Sequence, residues 1–410
     1  MEPGATYAEV QKFLRARGRS FPPDPSYHQC TIGGMIANNA AGIRSVKYGG
    51  TAENLAALEF LTADGELHST DVPDALAERV GIFLRRHRET ITRDFPSVEK
   101  NSSGYSFDRA LRADGTTDLA RLLAGSEGTL ALLTRCRLRT VPLAEARSLA
   151  VLYFASLEDA LRAALAVRPA GISACELVDK VLLDLHGAAH GGSHHAKKIA
   201  DNEFLDSFYY LGAEAILVVE TEGDSSAVAG AALAEAIHLA APFSLRADVA
   251  ATEAVGQKIW DLRRHTSPIL NRLEDGKISI KPLWGVEDVS LPRETFLAYV
   301  REQRALFERL GLTCSFFGHA ASCNLHIDPL AVDPRRARLD AELARLYDEA
   351  ARESYALVVR HGGSISGEHG DGLSRTPYLA LQYPRAAPLF AELKTMFDPY
   401  GILNPGKIVT

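Results

Sequence analysis

Apolar and polar positions change their rhythm near residue 148. Before that point the apolar runs are short and broken by small residues. They predict a helix over 7–17 closed by Gly18, a hairpin with strands 56–62 and 66–69 around the turn 63–65, helical structure over 74–95 and a strand over 130–139. After it, strand-like and helix-like stretches alternate in three rounds. The first is strand 149–154, helix 156–167 capped by Ser156, and strand 172–177; the second is strand 215–221, helix 225–240 and strand 243–248; the third is strand 278–283, helix 293–310 and strand 313–317. Helices that all cover one face of such strands predict an α+β layer on a mainly antiparallel sheet. A charged amphipathic helix over 334–352, leading through 355–361 into a glycine-rich loop, and a helix over 386–397 complete the pattern.

Length and composition narrow the reading. At 410 residues the chain predicts more than one core, and 46% hydrophobic with 24% charged residues is ordinary globular composition. The domains are expected at 1–147, 148–385 and 386–410, the last segment returning to the first domain. A net charge of -7 without a basic stripe argues against a nucleic-acid partner. Cys30, Cys136, Cys175, Cys314 and Cys323 are scattered and contain no Cys-x-x-Cys pair, which points away from a disulfide framework and from an iron–sulfur cluster in this chain. A reducing, cytoplasmic setting fits. The sequence contains no transmembrane-length apolar run and no secretory start, leaving peripheral attachment to the inner membrane face open.

Chemistry concentrates in a few stretches. Residues 361–372, His-Gly-Gly-Ser-Ile-Ser-Gly-Glu-His-Gly-Asp-Gly, bring glycines that let backbone approach a ligand together with the adjacent Glu368 and His369. The plainer alternative is a flexible polar loop. Residues 316–328 place His319 and His326 on either side of a short turn, and a hairpin there puts both imidazoles within reach of one ion. The run Thr31-Ile-Gly-Gly-Met-Ile-Ala-Asn-Asn-Ala-Ala-Gly42 suits backbone contact with an extended anionic or heteroaromatic ligand, with close helix packing as the plainer alternative. Gly125-Ser-Glu-Gly-Thr129 forms a turn between a helix and a strand. The histidines His186, His190, His194 and His195 lack an acidic or cysteine partner and read as a solvated loop.

In order along the chain, Thr31 to Ala40, Gly125 to Leu130, Gly318-His through Asn324-Leu-His326, Gly367-Glu-His-Gly-Asp-Gly372 and Phe397-Asp-Pro to Asn404-Pro-Gly-Lys407 resemble the FAD-linked 2-hydroxy-acid dehydrogenases. These flavoproteins are of the vanillyl-alcohol oxidase type and include D-lactate and D-2-hydroxyglutarate dehydrogenases and the glycolate oxidase flavin subunit. Asn101 to Tyr105 and Val286-Glu-Asp288 look most like the subgroup whose flavin part is followed by an iron–sulfur part. The fold implied is the second half of a PCMH-type FAD-binding domain plus an α+β cap domain. In such proteins a glycine-rich pyrophosphate loop lies in the first half of the FAD domain. This chain is expected to begin about where that half ends, to lack the cluster-bearing tail, and so to bind FAD weakly by itself, because the diphosphate needs a cradle of backbone donors.

The resemblance further implies that Pro25, Thr31, Ile32, Gly33, Gly34, Ala37, Asn38, Asn39, Ala40, Gly42, Tyr48, Gly49, Gly125, Glu127, Gly128 and Leu130 line FAD, with Asn404 near the flavin ring. It implies a divalent ion, usually zinc, on His319, His326 and Glu368, with His369 taking the substrate's hydroxyl proton while the C2 hydride passes to flavin N5. Arg263 would pair with the substrate carboxylate. The lysine the family carries before its Asp-x-Ser-Leu-Pro segment is unmatched, since Val286 stands there, and Lys281 is expected to serve instead. Asn324 either steadies the metal-binding turn and the substrate or is a turn amide bonded to local backbone. The activity implied is oxidation of a D-2-hydroxy acid to the 2-oxo acid. Electrons would pass to an iron–sulfur part or subunit, a quinone or an electron-transfer flavoprotein. Two other readings stand beside it: a zinc-dependent hydrolase, which leaves the 31–42 run unexplained, and an inactive fragment or subunit that needs a partner chain.

Overall fold

Where strands carry apolar residues on both faces they build a covered sheet, and where only alternate positions are apolar they edge a smaller one; this chain contains both. The computed structural model describes residues 1–190, 203–270, 281–282, 286–331 and 341–410. They divide into two units, one of residues 1–143 with 358–410 and one of residues 144–357.

In the first unit, β1 (Arg19–Ser20) pairs with β5 (Val141–Pro142), while β2 (Leu55–Leu61) lies between β3 (Leu67–Ser69) and β4 (Leu132–Leu138), all antiparallel. The predicted hairpin therefore forms. The helical stretch divides at His87 into Ala75–Arg86 and Arg88–Asp94, and Asp74 caps the first by accepting from the Ala77 N–H. Leu58, Phe60, Val80, Leu84, Phe107, Phe390 and Phe397 share one core. Phe107 and Phe390 meet edge to face at 5.1 Å, which fixes the helix Ala387–Phe397 against a segment some 280 residues earlier in the chain.

The return to this unit comes at Val358, not at residue 386 as the sequence suggests. Polar and apolar contacts both hold it there: the Ser102 N–H donates to the Ser366 carbonyl, Asp371 accepts from Ser103 and Gly104, and Leu379, Tyr383 and Ala386 join the first unit's core. The loop 361–372 thus belongs to the unit that holds the 31–42 run. The leading boundary also moves slightly, from 147/148 to 143/144.

The second unit is built on one sheet. Its strands are β6 (Ala146–Phe154), β7 (Ala174–Asp179), β8 (Ala215–Gly223), β9 (Arg246–Val249), β10 (Lys281–Pro282), β11 (Val289–Ser290), β12 (Thr313–His319) and β13 (Asn324–Ala331). Among the described residues the order is β10-β13-β12-β7-β8-β6-β9, with β11 also on β13, and every pair is antiparallel. Consecutive strands joined by a helix are not neighbours: β8 separates β6 from β7, and β6 separates β8 from β9. That is the split βαβ arrangement, twice over, with β12 and β13 widening the sheet beyond β7.

Register decides which side chains share a face, because side chains alternate across a strand. Thr221 bonds through its hydroxyl to the Ala229 carbonyl in the helix Ser226–Ala240, so its face is the one that this helix covers. Glu220 faces the other way. Ala174 lies opposite Glu220, Glu176 opposite Val218, Phe317 opposite Val178, and His326 opposite Phe317. Glu176, Glu220, Phe317, His319 and His326 therefore share the sheet face away from that helix, where the helix Glu253–Leu270 brings Trp260 and Arg263. Of the predicted strand 278–283 only Lys281–Pro282 is described as strand, and residues 334–340 of the predicted helix lie outside the described residues, which resume in the helix Ala341–Arg360.

Candidate functional site

In the first unit the structure knits the separated motifs together. The 31–42 run is a six-residue helix, Ile32–Ala37, capped by Thr31, whose hydroxyl accepts from the Gly34 N–H. At its end the carbonyls of Ile36 and Ala37 accept from the Gly125 and Glu127 N–H groups at 2.9 and 2.8 Å. The Asn404 amide donates to the Glu127 carbonyl at 2.6 Å. Asn404 is delivered there by Lys394, whose buried ammonium donates to the Thr129 and Leu403 carbonyls and to Asp398, and by Asp398, which accepts from the Ile402 and Leu403 N–H groups.

Some expected ligand-lining positions have a structural task of their own. Ile32 and Leu130 are wholly buried, and their side chains pack in the hydrophobic core. A Cβ on Gly42 would lie 2.0 Å from the Asp24 carbonyl oxygen; that glycine lets two backbone segments meet. Asn39 is buried and its amide oxygen accepts from the Ala52 N–H. The Glu127 carboxylate accepts from the Asp371 and Gly372 N–H groups at 2.6 and 2.9 Å, so it seats the glycine-rich loop. Thr31, Gly34 and Asn38 recur at helical spacing on the exposed side of the same short helix, opposite Ile32, Met35 and Ile36. Pro25, Gly33, Ala37, Ala40, Tyr48, Gly49 and Gly128 belong to this unit too.

The loop 361–372 rests on the polar turn 101–105. Asn101 accepts from the Ser364 hydroxyl and from the Ser103 N–H, and Asp371 accepts from the Gly104 N–H at 2.6 Å and the Ser103 hydroxyl at 2.9 Å. Lys100 places its ammonium 2.8 Å from Glu368, both side chains 9% exposed. His369, next in sequence, is exposed.

Burial first, and then the nearby Glu127 carboxylate, push Asp371 from 3.8 to about 7. The folded chain therefore holds a proton between these values that the unfolded chain has released. Stability contributed by this group is present at low pH and falls as pH rises through that window. Asp371→Asn, which keeps one acceptor oxygen, is expected to flatten the decline of melting temperature between about pH 4 and pH 7. An unchanged slope in a thermal-unfolding series would count against this.

In the second unit the predicted hairpin forms as β12 and β13, with His319 opposite Asn324. His319 and His326 are diagonal neighbours on one face, their ring centroids 5.7 Å apart. Between them in the ladder, Gly318 has φ of +122°, and a Cβ there would lie 2.9 Å from His326 Cδ2. Glu176, wholly buried, ties the cluster: its Oε1 lies 2.6 Å from His319 Nδ1, and its Oε2 accepts from Arg263 Nε at 3.0 Å and Nη2 at 2.7 Å. Arg263, expected to face a substrate carboxylate, thus engages a carboxylate of the protein. Asn324 donates to Asp288 at 2.9 Å and to the Val289 carbonyl at 3.0 Å, partners 36 and 35 residues earlier in the chain, so its amide ties the hairpin to β11 rather than to its own turn.

The backbone of Lys281 lies opposite Ala331, while its side chain is outside the described residues. So are the side chains of His186 and His190 and the whole of His194 and His195. Sequence reasoning missed Glu176 and Glu220. The signal was available: a carboxylate inside an otherwise apolar strand, as in Ala-Cys-Glu-Leu and Val-Val-Glu-Thr, is costly unless a partner awaits it. Glu220 has Ser173 and Trp260 as donors.

Residues 143–408 match the profile of FAD linked oxidases, C-terminal domain, and residues 1–71 match that of FAD binding domain. A D-2-hydroxyglutarate dehydrogenase from Pantoea ananatis is 31% identical across 100% of this chain but only 41% of its own length. A D-lactate dehydrogenase from Archaeoglobus fulgidus is 28% identical, covering 99% of this chain and 76% of that protein. In three dimensions the chain is similar to a 4-ethylphenol oxidase from Gulosibacter chungangensis, with a TM-score of 0.65 and 15% identity over 100% of this chain and 75% of that one. At such identity the likeness speaks for the fold alone. The chain thus spans about two-fifths of the length of the D-2-hydroxyglutarate dehydrogenase it matches. Among the described residues no helix is long and apolar enough to cross a membrane.

Proposed function

Because this chain belongs to the FAD-linked oxidases, we propose that it is the catalytic part of a dehydrogenase oxidising a D-2-hydroxy acid of the D-lactate, D-2-hydroxyglutarate or glycolate class to the 2-oxo acid. The observation that carries the reading is the pair of buried histidines on one sheet face, one of which, His319, is joined to Arg263 through Glu176. Bound FAD would supply the hydride acceptor, and a bound divalent ion, zinc by preference, a Lewis acid toward the substrate oxygens.

The residues fit both groups. Thr31, Gly34 and Asn38 leave a small-residue, exposed flank on a helix whose other side is core, so an extended ligand can approach the backbone there. Asn404 is held on the Glu127 carbonyl beside that helix end. His319, with Nδ1 turned to Glu176, keeps Nε2 as the nitrogen that would ligate; His326 would be the second ligand. Glu368 as third ligand rests on the resemblance, as do Lys281 and Asn324 toward substrate. His369 accepts the hydroxyl proton; a role for Arg263 toward the substrate carboxylate rests on the resemblance, since its Nε and Nη2 hold Glu176. The electron acceptor is proposed to be an iron–sulfur part or subunit, a quinone or an electron-transfer flavoprotein. A cytoplasmic location, with or without peripheral attachment to the membrane, suits each of these.

The test is anaerobic mixing of the zinc-supplied chain, at flavin concentrations that saturate it, with D-2-hydroxyglutarate, D-lactate or glycolate. Bleaching of oxidised-flavin absorbance by at least one, with the L enantiomers of the chiral acids inert, is expected. A flavin-saturated protein reduced by none of them would overturn the reading.

A further inference from the structure

Glu176 lies on a face where a carboxylate needs a reason to be. It is wholly buried on β7 and its two oxygens are divided: one lies 2.6 Å from His319 Nδ1, the other accepts two bonds from the Arg263 guanidinium. Neutralising a buried carboxylate would need only the arginine. The second oxygen does something else. We infer that Glu176 is a positioning residue that fixes the ring tautomer of His319, so that Nδ1 carries the hydrogen and Nε2 presents its lone pair. The inference rests on the metal reading above for its purpose, but not for its geometry.

Hydrogen-bond roles decide which ring nitrogen carries the hydrogen. A carboxylate beside a guanidinium is held ionised, and an ionised carboxylate only accepts. The neighbouring Nδ1 must then donate, which in the neutral ring leaves Nε2 unprotonated, the form that binds a metal. Three elements enforce this. The β7–β12 register sets Phe317 opposite Val178, which turns His319 to the face of Glu176. The helix Glu253–Leu270 supplies Arg263, whose guanidinium carbon lies 5.4 Å from the Phe317 ring centroid. Arg263 thereby serves the histidine through Glu176, whatever else it touches.

Glu176→Gln breaks the division of labour, because an amide has one acceptor and one donor end. With its oxygen toward His319 it sets N–H groups against the guanidinium; with its nitrogen toward His319 it favours the opposite tautomer. The experiment uses the full chain, metal-free, with nitrogen-15 in its histidines, and His319 is assigned by its missing signals in His319→Gln. In the wild type, His319 is expected to show a protonated Nδ1 and a bare Nε2; in Glu176→Gln that pattern is lost to a mixture or inverted. Zinc affinity, titrated against a coloured chelator, is expected to fall by about 10- to 100-fold, the usual cost of losing a partner behind a metal ligand.

Asp179→Asn is the control for structural damage. It changes another buried carboxylate on the same strand, one that accepts from the Leu182 and Phe316 N–H groups and does not touch His319. It should leave the His319 tautomer and zinc affinity as they were. The wild-type spectrum tests the inference even if Glu176→Gln fails to fold: a bare Nδ1, or a ring protonated at both nitrogens, overturns it. An unaltered tautomer in a folded Glu176→Gln overturns it as well. A wild type with the expected tautomer, altered in Glu176→Gln, but with no zinc affinity would overturn the metal reading and leave the positioning of His319 by Glu176 supported.

Discussion

His369→Ala is expected to slow anaerobic reduction of bound FAD by a D-2-hydroxy acid about 10²- to 10⁴-fold, the usual loss with a general base, while leaving bound metal unchanged. The expectation comes from how two neighbours diverge. Glu368 turns its carboxylate to Lys100 at 2.8 Å, whereas His369 is exposed. Adjacent side chains in a non-helical segment point apart, which is why the proposed roles of ligand and base are divided between the two. Removing the C2 hydride from a hydroxy acid leaves a carbonyl only if the hydroxyl proton also leaves, and an exposed imidazole is suited to accept it. Metal content and pre-steady-state reduction, measured on the same sample, decide the matter. A variant that loses its metal makes His369 a ligand, and one that keeps both metal and rate removes it from the chemistry.

What the sequence disclosed and what it hid divide along physical lines. The β12–β13 hairpin was legible because two strand-like runs flank a short turn, and alternation then places His319 and His326 on a common face. The split strand–helix pattern was legible for the same local reason. The return of the chain to its first unit at Val358 was not. No break in hydrophobic rhythm marks it, and it depends on Ser364, Ser366 and Asp371 finding residues 101–104 more than 260 positions away. Glu176 was hidden likewise: its partners stand 87 and 143 residues off, and a strand's alternation gives a face but not a partner. At the 31–42 run composition left two readings open, ligand contact and close packing, because it does not say which positions face the core. Ile32 and Gly42 pack against the protein, while Gly34 and Asn38 lie on the exposed flank.

Glu368→Gln is expected to lower zinc affinity by more than about 100-fold, because a ligand matters at least as much as the groups behind it, and to abolish flavin reduction with it. The Lys100 ammonium on the same carboxylate makes the test sharper. If Glu368 is only the counter-ion of a nearly buried lysine, then breaking the pair from either end leaves one charge without its partner and lowers the melting temperature, with no effect on metal. If it is a ligand, the two ends are not equivalent. Lys100→Met removes a positive charge that opposes a divalent cation and leaves the carboxylate in place, so zinc should bind as tightly as in the wild type or more tightly. Glu368→Gln should lose it. Melting temperature and zinc titration on the two variants separate the cases: equal destabilisation with unchanged zinc affinity in both would take Glu368 out of the metal site and leave His319 and His326 in need of another third ligand.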